Sequence, residues 1–376
     1  MRPLGELCLI ERGGSPRPID KYITDDPNGI NWIKIGDTTE SMYITRTKER
    51  IIPEGMKKSR YVQKGDFLLS NSMSFGRPYI LDIDGCIHDG WLVIRDNEGV
   101  FDKRFLYYFL GSPVTYQKFK SMAVGGVVNN LNIDMVKKIL VPVLSIAEQK
   151  EIADVLDKVT ALINYRKDQI ANLESLVKSR FIELFGDLAD PNCQWSALHL
   201  FEACESADDI KCGPFGTQLN KDEYQSTGVA VWEIPQINNG FTSFPTHFLT
   251  REKANQLSAY SLIPGDIAMS RKGNVGRCAV FPNNFPDGII HSDVLRIRLD
   301  RSRVLPIFMM YQLHFSRAIQ YQIESVSSGA IMAGINVGKL KNIIVFVPPI
   351  HLQEQFAAFV EQTDKLKYCG DLEVAA

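Results

Sequence analysis

The sequence contains no apolar run of eighteen or more residues, and its seven cysteines are scattered without a Cys-x-x-Cys pair. A membrane-spanning helix needs about 20 apolar residues, so the sequence predicts none. The first six residues include no long apolar segment, so no secretory signal is predicted either. An odd number of dispersed cysteines argues against a disulfide framework and against a zinc ribbon. These absences predict a protein of the reducing cytoplasm.

Familiar catalytic and cofactor-binding motifs are also missing. The Asn/Asp/Ser-Pro-Pro-aromatic signature of amino-methyltransferases has its nearest match at Val347 to Ile350, where both flanking residues are wrong. Gly334 to Lys339 is one residue too short for a P-loop, and Leu340 replaces the hydroxyl residue. There is no Gly-x-Ser-x-Gly elbow, and the six histidines are dispersed. The sequence therefore predicts a binding protein with no catalytic residues, no bound cofactor and no metal.

The net charge of −2 at pH 7 does not by itself suggest a nucleic-acid partner. The charges are unevenly divided, however. Residues 1–143 are mildly basic and residues 189–350 are neutral, whereas residues 144–188 and the C-terminal tail are acidic. This distribution is compatible with a DNA-binding face, but a solvated surface of mixed charge explains it equally well.

The sequence repeats itself at an interval of about 200 residues. The pairs separated by 200 residues are Trp32 with Trp232, Gly65-Asp66 with Gly265-Asp266, Ser70 with Ser270, and Gly76-Arg77 with Gly276-Arg277. Later, Asn132 pairs with Asn336 at an interval of 204 and Gln149 with Gln355 at 206, a drift that loop insertions would produce. A duplicated domain indicates two similar working faces, suited to a ligand that has two similar halves.

The two copies are predicted to be α/β domains, at residues 1–144 and 187–349. Short β-rich runs are separated by Gly, Pro and Asn, and Phe101 to Phe109 has helical spacing with a counterpart at Pro306 to Phe315. The predicted fold class is α+β, with two tandem α/β domains and an internal pseudo-two-fold repeat.

A long helix is predicted between the copies, over residues 145–186. Apolar residues there alternate at spacings of four and three, which is typical of coiled-coil packing. The stripe comprises Ile152, Leu156, Val159, Ile163, Ile170, Leu173, Val177 and Leu184. Ser145 and Glu148 form a capping-box pattern, and Gly186 marks the end. We expect this helix to be a spacer and a docking surface, although an ordinary long core helix would show a similar pattern.

The apolar pattern restarts at Leu352, Phe356, Phe359 and Val360, which predicts a second, shorter helix in residues 350–376. Only about 27 residues follow Pro349 in this sequence. Any pairing with the first helix is therefore expected to be partial, or to be completed by a partner.

Both copies contain the same motifs in the same order. Each copy begins with a small-residue loop, at Gly13 to Pro16 and Gly213 to Thr217. A Gly-Asp turn, a strand ending in Ser and a Gly-Arg follow. Each copy then has a Gly/Ser/Asn-rich loop, at Gly125 to Asn132 and Ser327 to Asn336, and ends with an apolar strand, a proline and a helix containing Glu-Gln. This order, which covers nearly the full length, resembles that of the DNA-specificity subunits of type I restriction-modification systems, so each copy is expected to be a target-recognition domain.

The resemblance implies that each copy reads one half of a split double-stranded DNA sequence and that the helices dock two methyltransferase subunits. Those partners would bind S-adenosylmethionine and methylate adenine. A restriction subunit would bring ATP-driven translocation and cleavage, with Mg²⁺. None of this catalysis is expected in this chain.

Long polar side chains on the loops are candidates for base contacts, and basic residues near the loops are candidates for phosphate contacts. The candidate base readers are Asn71, Arg77, Gln236, Asn238, Arg271, Lys272 and Arg277. The candidate phosphate contacts are Lys57, Lys58, Arg60, Lys211 and Lys221. Each could instead be a solvated surface residue. Gly76 and Gly276 are expected to be turn glycines, while Ser70 and Ser270 would either contact phosphate or simply end a strand.

Two alternative functions stay open. The chain could be a fragment of a single-chain restriction and modification enzyme with an unrecognised catalytic site, although the missing methyltransferase motif counts against this. It could also be a scaffold that binds only proteins and has no affinity for DNA.

Overall fold

The computed structural model describes residues 1–72, 75–123, 130–188, 190, 193–327 and 334–374, apart from the side chains of Thr217 and of residues 368–374. These residues form two compact units, Met1–Arg166 (unit 1) and Lys167–Ala376 (unit 2). Within the described ranges, no helix is long and apolar enough to cross a membrane.

Unit 1 contains two five-stranded sheets and one two-stranded sheet. Its strands are β1 (Arg2–Pro3), β2 (Leu9–Arg12), β3 (Ile23–Thr24), β4 (Ile30–Ile33), β5 (Tyr43–Ile44), β6 (Glu49–Ile51), β7 (Arg60–Val62), β8 (Phe67–Ser70), β9 (Pro78–Leu81), β10 (Gly85–Ile87), β11 (Trp91–Arg95) and β12 (Leu140–Val141). Its helices are α1 (Pro53–Met56), α2 (Lys103–Gly111), α3 (Pro113–Ala123), α4 (Ile133–Lys137) and the first part of α5 (Ile146–Phe185). The sheet orders are β3-β6-β4-β10-β7, β2-β11-β8-β9-β5 and β1-β12.

Unit 2 contains the second part of α5, two four-stranded sheets and one two-stranded sheet. Its strands are β13 (Ser196–His199), β14 (Ile210–Cys212), β15 (Val229–Trp232), β16 (His247–Leu249), β17 (Ser261–Leu262), β18 (Ile267–Ser270), β19 (Cys278–Val280), β20 (Gly288–Ile290), β21 (Val294–Ile297) and β22 (Ile344–Val347). Its other helices are α6 (Ile234–Asn238), α7 (Arg251–Gln256), α8 (Pro306–Phe315), α9 (Arg317–Val326), α10 (Val337–Lys341) and α11 (Ile350–Val374). The sheet orders are β14-β21-β18-β19, β16-β15-β20-β17 and β13-β22.

The two units share one core topology. The order β2-β11-β8-β9 of unit 1 corresponds to β14-β21-β18-β19 of unit 2, and β6-β4-β10-β7 corresponds to β16-β15-β20-β17. Each second sheet holds an equivalent parallel pair, β4 with β10 and β15 with β20. Unit 1 adds an edge strand to each sheet, β3 and β5. The predicted fold class and internal repeat are therefore confirmed.

Strand β11 shows how unit 1 is layered. Its residues Trp91, Leu92, Val93 and Ile94 are all buried. Leu92 and Ile94 belong to a core with helices α2 and α3, whereas Trp91 and Val93 belong to a core between the two sheets. Alternate residues of a strand point to opposite faces of its sheet. The continuous apolar run of β11 therefore means that both faces of this sheet are covered.

A buried glutamine attaches each unit to the helix that follows it. Gln149 accepts a hydrogen bond from the backbone N–H of Asp102 at 2.9 Å and donates to two backbone carbonyls. Gln353 makes the same three bonds in unit 2, accepting from Leu305 at 2.8 Å. The sequence pairing of Gln149 with Gln355 was therefore wrong by two residues. It rested on the shared Glu-Gln dipeptide, whereas the glutamine that reaches the backbone groups in unit 2 is Gln353.

Helix α5 runs without interruption for 40 residues. The predicted capping box is present, since Ser145 N–H donates to Glu148 Oε2 at 2.9 Å and Glu148 N–H donates to Ser145 Oγ at 3.2 Å. The helix stops before Gly186, which has a φ of +74°. A left-handed residue at this place is a common helix terminator and favours glycine.

The predicted apolar stripe has two different environments along α5. Val177 is buried in the core of unit 2 together with Phe356 and Val360 of α11, and Ile170, Leu173 and Leu184 are half-buried. The pairing of α5 with a shorter C-terminal helix is thus confirmed within unit 2. In the first part, Leu156 is half-buried, whereas Ile152, Val159 and Ile163 are 38%, 45% and 52% exposed.

Candidate nucleic-acid interface

In each unit, loops meet where strands of both sheets end. Loop cluster 1 comprises residues 13–17, 34–39, 71–72, 75–77, 88–90 and 130–132 of unit 1. Loop cluster 2 comprises residues 213–217, 271–277, 291–293 and 334–336 of unit 2, together with residues 233–239, which contain the short helix α6. Gln236 and Asn238, predicted to lie on a loop, therefore lie on a helix. Much of the predicted late loops, residues 124–129 and 328–333, lies outside the described residues.

Asn71 joins three segments of loop cluster 1. Its N–H donates to Gly90 O and its carbonyl accepts from Leu131 N–H, both at 2.9 Å. Its side-chain Nδ2 donates to Asp89 O at 3.0 Å, and the residue is fully buried. These bonds fix the loop backbones relative to one another, so Asn71 positions loop cluster 1 in this conformation.

Arg271 has the equivalent place in loop cluster 2. Its N–H donates to Asp293 O at 2.9 Å and its carbonyl accepts from Ile335 N–H at 3.1 Å. Its side chain adds two bonds, from Nε to Ile335 O at 3.2 Å and from Nη1 to Ser292 O at 3.3 Å. The guanidinium also lies 4.6 Å from the ring centre of Phe215, within the range of a cation–π contact.

Glycine is required at the start of the first loop in both clusters. A Cβ atom on Gly13 would lie 2.1 Å from His88 O, and one on Gly213 would lie 2.2 Å from His291 O. No side chain fits between backbones that approach this closely. The two small-residue loops of the sequence therefore hold equivalent positions.

Other repeated residues serve the framework of the clusters. Gly76 and Gly276 have φ of +78° and +86°, as expected of turn glycines. Ser70 Oγ accepts from Arg77 N–H at 2.9 Å, while Ser270 Oγ donates to Asn238 Oδ1 at 3.0 Å. Both serines are buried, which favours the structural interpretation of these positions.

The late loops end in equivalent helix caps. Asn132 Oδ1 accepts from Met135 N–H at 2.9 Å, and Asn336 Oδ1 accepts from Lys339 N–H at 2.8 Å. An Asn at this position satisfies one of the free N–H groups of the helix that follows. The predicted pairing of Asn132 with Asn336 is therefore confirmed.

Carboxylates and histidines lie beside the loops of both clusters. Asp89 accepts from Ser15 Oγ at 2.8 Å, and the Arg17 guanidinium is 3.6 Å away. Burial opposes ionisation of Asp89, but the Ser15 hydrogen bond and neighbouring His88 lower its pKa below the usual value. Burial also lowers the pKa of His88. In loop cluster 2, Asp293 pairs with Lys272 at 2.8 Å.

A groove of about 1110 Å³ opens beside loop cluster 1. Trp32, His88, Asp89 and the ion pair of Lys34 with Glu49 contribute to its lining. The lining therefore includes hydrogen-bond donors and acceptors, and both positively and negatively charged side chains. Among the described residues, no group of three His, Cys, Asp or Glu side chains is placed to hold a metal ion.

The candidate residues differ in exposure, and three of the exposed ones also have partners within the protein: Lys58 with Tyr22, Lys272 with Asp293 and Arg277 with Asn238 O. The exposed ones are Lys57, Lys58, Arg77, Lys221, Lys272 and Arg277, and the half-buried ones are Arg60, Lys211, Asn238 and Arg271. Asn71 and Gln236 are buried. Loop cluster 1 contains Asn71 and Arg77, whereas loop cluster 2 contains Gln236, Asn238, Arg271, Lys272 and Arg277.

The basic residues Lys57, Lys58 and Arg60 border loop cluster 1 without belonging to it. A Cβ on Gly14 would lie 3.1 Å from Lys58 O, and Arg60 Nε donates to Arg12 O at 2.7 Å. Arg60 also pairs with Glu11 at 2.7 Å, so its charge is partly neutralised. In unit 2, Lys211 Nζ lies 5.9 Å from the ring centre of Tyr260.

The list of candidate residues from the sequence omits Phe215, Asp89 and Asp293. Phe215 is 49% exposed in loop cluster 2 although it is a large apolar residue. The available signal was an aromatic residue between Pro214 and Gly216 in a loop that the repeat had already marked. The two aspartates follow β10 and β20 closely in sequence, but their approach to the other loops depends on the tertiary fold.

The sequence matches the protein-family model of the type I restriction modification DNA specificity domain, over residues 1–175 and 209–368. The specificity subunit of the StySPI enzyme from Salmonella potsdam is 22% identical over 274 residues, covering 70% of this chain and 59% of that protein. The specificity subunit of the EcoKI enzyme from Escherichia coli (strain K12) is 21% identical, covering 72% of this chain and 60% of that protein. The chain thus spans about three fifths of the length of these curated relatives.

Two solved structures are similar over almost the whole chain. The S subunit of a type I restriction-modification system from M. genitalium has a TM-score of 0.57 and 15% identity, covering 100% of this chain and 91% of its own. A chain from a structure on the assembly and conformational transition of a type I system has a TM-score of 0.55 and 18% identity, covering 99% and 93%. At these identities the likeness establishes the fold, two α/β units with a long helix between them in sequence.

Proposed function

Because this chain belongs to the type I restriction modification DNA specificity family, we propose that it is the subunit that selects the DNA target in such a system. Unit 1 reads one half of a bipartite double-stranded site and unit 2 reads the other. One observation carries this proposal: the two loop clusters share a backbone framework but differ in side chain at equivalent positions, such as Ser15 and Phe215. A common framework docks on DNA in a common way, while different side chains select different bases.

The exposed candidates make the contacts with DNA. Arg77 and Arg277 follow equivalent turn glycines and are exposed, and an arginine that reaches a guanine edge can donate two hydrogen bonds. Lys57, Lys58 and Lys221 contact phosphates, as do the half-buried Arg60 and Lys211, and Lys272 lies at a base edge. The buried or half-buried residues Asn71, Gln236, Asn238 and Arg271 hold the loops in place for these contacts.

The helices dock two methyltransferase subunits, and a restriction and translocation subunit joins that assembly. Support comes from α5, where Ile152, Val159 and Ile163 expose apolar surface along one stripe. A contiguous apolar stripe on a helix favours a protein partner. S-adenosylmethionine, ATP and Mg²⁺ act on the partner subunits, and this chain contributes recognition without catalysis in the cytoplasm.

The test measures DNA binding and methylation by the chain alone and by the chain with its modification subunits. Only the assembled complex is expected to methylate adenine at a bipartite site, and exchange of residues 1–144 for those of a relative should change only one half of that site. Methylation or cleavage by the chain alone would favour a single-chain enzyme. Absence of DNA affinity in every assembly would favour a protein-only scaffold.

A further inference from the structure

Phe215 is a large apolar side chain held at the surface of loop cluster 2. The residue is 49% exposed, and one side of its ring faces the Arg271 guanidinium at 4.6 Å. Single exposed apolar residues are common on proteins and need no function. Phe215 differs because the loop that carries it is braced on several sides.

The first contacts that restrict this loop involve the residues on either side of Phe215. Gly213 lies against His291 O, and Gly216 has a φ of +57°. The N–H of Phe215 donates to Gln218 Oε1 at 3.2 Å, and Tyr260 OH donates to the same oxygen at 3.0 Å. A loop fixed in this way loses little conformational freedom when it binds a ligand.

Arg271 braces the ring itself. Its guanidinium is held by the carbonyls of Ser292 and Ile335, so it cannot leave the ring without breaking those bonds. The guanidinium covers one side of Phe215. A ring inserted between two base pairs needs both faces free, so only the edge and the open face of Phe215 are available to DNA.

Unit 1 has no aromatic residue at the equivalent place. Ser15 stands there, and its hydroxyl is bonded to Asp89 at 2.8 Å. The apolar contact is thus a property of unit 2 alone.

We propose that Phe215 determines specificity by packing against the C5-methyl group of a thymine in the half-site read by unit 2, with Arg271 as its positioning residue. This inference rests on the proposed function. The thymine methyl is the one apolar group that a base pair presents in the major groove, and phenylalanine is a residue that contacts it.

The experiment uses the chain assembled with its modification subunits and a target in which each thymine is replaced, one at a time, by deoxyuridine. One replacement in the half-site of unit 2 should weaken binding by about fourfold, since burying one methyl contributes ~0.8 kcal/mol. Phe215→Ser should abolish that sensitivity, Phe215→Leu should retain part of it, and Ser15→Ala should leave it unchanged. Arg271→Ala should reduce it at this thymine alone, and Arg271→Lys should restore part of it.

Sensitivity that is the same in the native and Phe215→Ser complexes would overturn the proposal, as would a native complex that tolerates every deoxyuridine in that half-site. If Phe215→Ser does not fold, the comparison of the native and Phe215→Leu complexes decides. A native complex that binds all DNA sequences alike would instead remove the proposed function itself. Increased DNA bending that depends on Phe215 would indicate insertion between bases and would also contradict the edge contact.

Discussion

The two units bond the start of a long helix, α5 in unit 1 and α11 in unit 2, in the same way. They differ in the side chains that pack against their own part of α5. Gln149 and Gln353 make equivalent bonds to backbone groups. In unit 2, Phe181 of α5 lies in an aromatic core, with its ring centre 5.8 Å from that of Phe308 and 5.3 Å from that of Phe356.

In unit 1 the contact between α2 and α5 is polar. Arg104 pairs with Asp154 at 2.8 Å and Asp157 at 2.5 Å, and Tyr108 OH donates to Asp157 at 2.7 Å. The bonds that define the fold are therefore repeated, whereas the packing on the helices has diverged. The first part of α5 contributes Ala153 to the core of unit 1 and is otherwise held by Gln149 and by partly exposed ion pairs, whereas the second part contributes aromatic rings to the core of unit 2.

The largest effect is expected from Phe181→Ala, because it removes a buried aromatic ring. Such truncations cost about 3–5 kcal/mol. Hydrogen exchange followed by mass spectrometry should show the loss in peptides of unit 2 and not in those of unit 1. Leu162→Ala, on the 67% exposed side chain of the same helix, is the control and should change stability by less than about 0.5 kcal/mol.

Gln353→Ala and Gln149→Ala should each destabilise their own unit by about 2–3 kcal/mol, because several buried backbone groups lose their partners. Urea unfolding gives the free energy of each variant. Gln355→Ala is the matched control, since Gln355 is exposed on α11. A larger loss of unfolding free energy for Gln355→Ala than for Gln353→Ala would contradict the equivalence of Gln149 with Gln353.

Arg77→Ala and Arg277→Ala test whether each unit recognises a different half of the DNA target. Each should relax discrimination in a single half-site by about 1–3 kcal/mol, as expected when a two-bond base contact is lost. Binding to a panel of single-base variants of the target is the measurement. Lys57→Ala should instead weaken binding to all sequences alike, and an equal effect of Arg77→Ala on both half-sites would contradict the division of labour.

Arg104→Met should have the smallest effect, about 0.5–1 kcal/mol on the stability of unit 1, because its ion pairs are partly exposed. Salt screens such pairs, so the difference between native and variant should shrink between low and high ionic strength. Unfolding in ~0.05 M and ~1 M NaCl tests this. A difference that does not respond to salt would mean that Arg104 acts through packing instead.

Local sequence patterns predicted much of this fold. The 200-residue interval identified equivalent strands and turns, and the capping box with Gly186 predicted the ends of α5. The capping box and Gly186 act on residues close together in the chain, and the repeat is a set of such short motifs that occurs twice. The edge strands β3 and β5 were not predicted, because a short strand exists only through the neighbour with which it pairs.

The candidate site was harder to predict from sequence. Asn71 and Gln236 were selected as long polar side chains on loops, yet both are buried. Burial depends on which distant loops converge, and a single sequence does not contain that information. Phe215 was overlooked for the reverse reason, since an aromatic residue in a loop is usually assigned to the core. The twelve DNA-binding candidates therefore stay predictions.

The contact of Gly13 and Gly213 with the carbonyls of His88 and His291 constrains how such a protein can evolve. A backbone oxygen cannot rotate away as a side chain can, so both positions tolerate no substitution. Diversification is instead directed to the residues just downstream, where Ser15 and Phe215 already differ. Two glycines fixed by backbone contacts, each next to a position that differs between the units, let new preferences arise without rebuilding the loops.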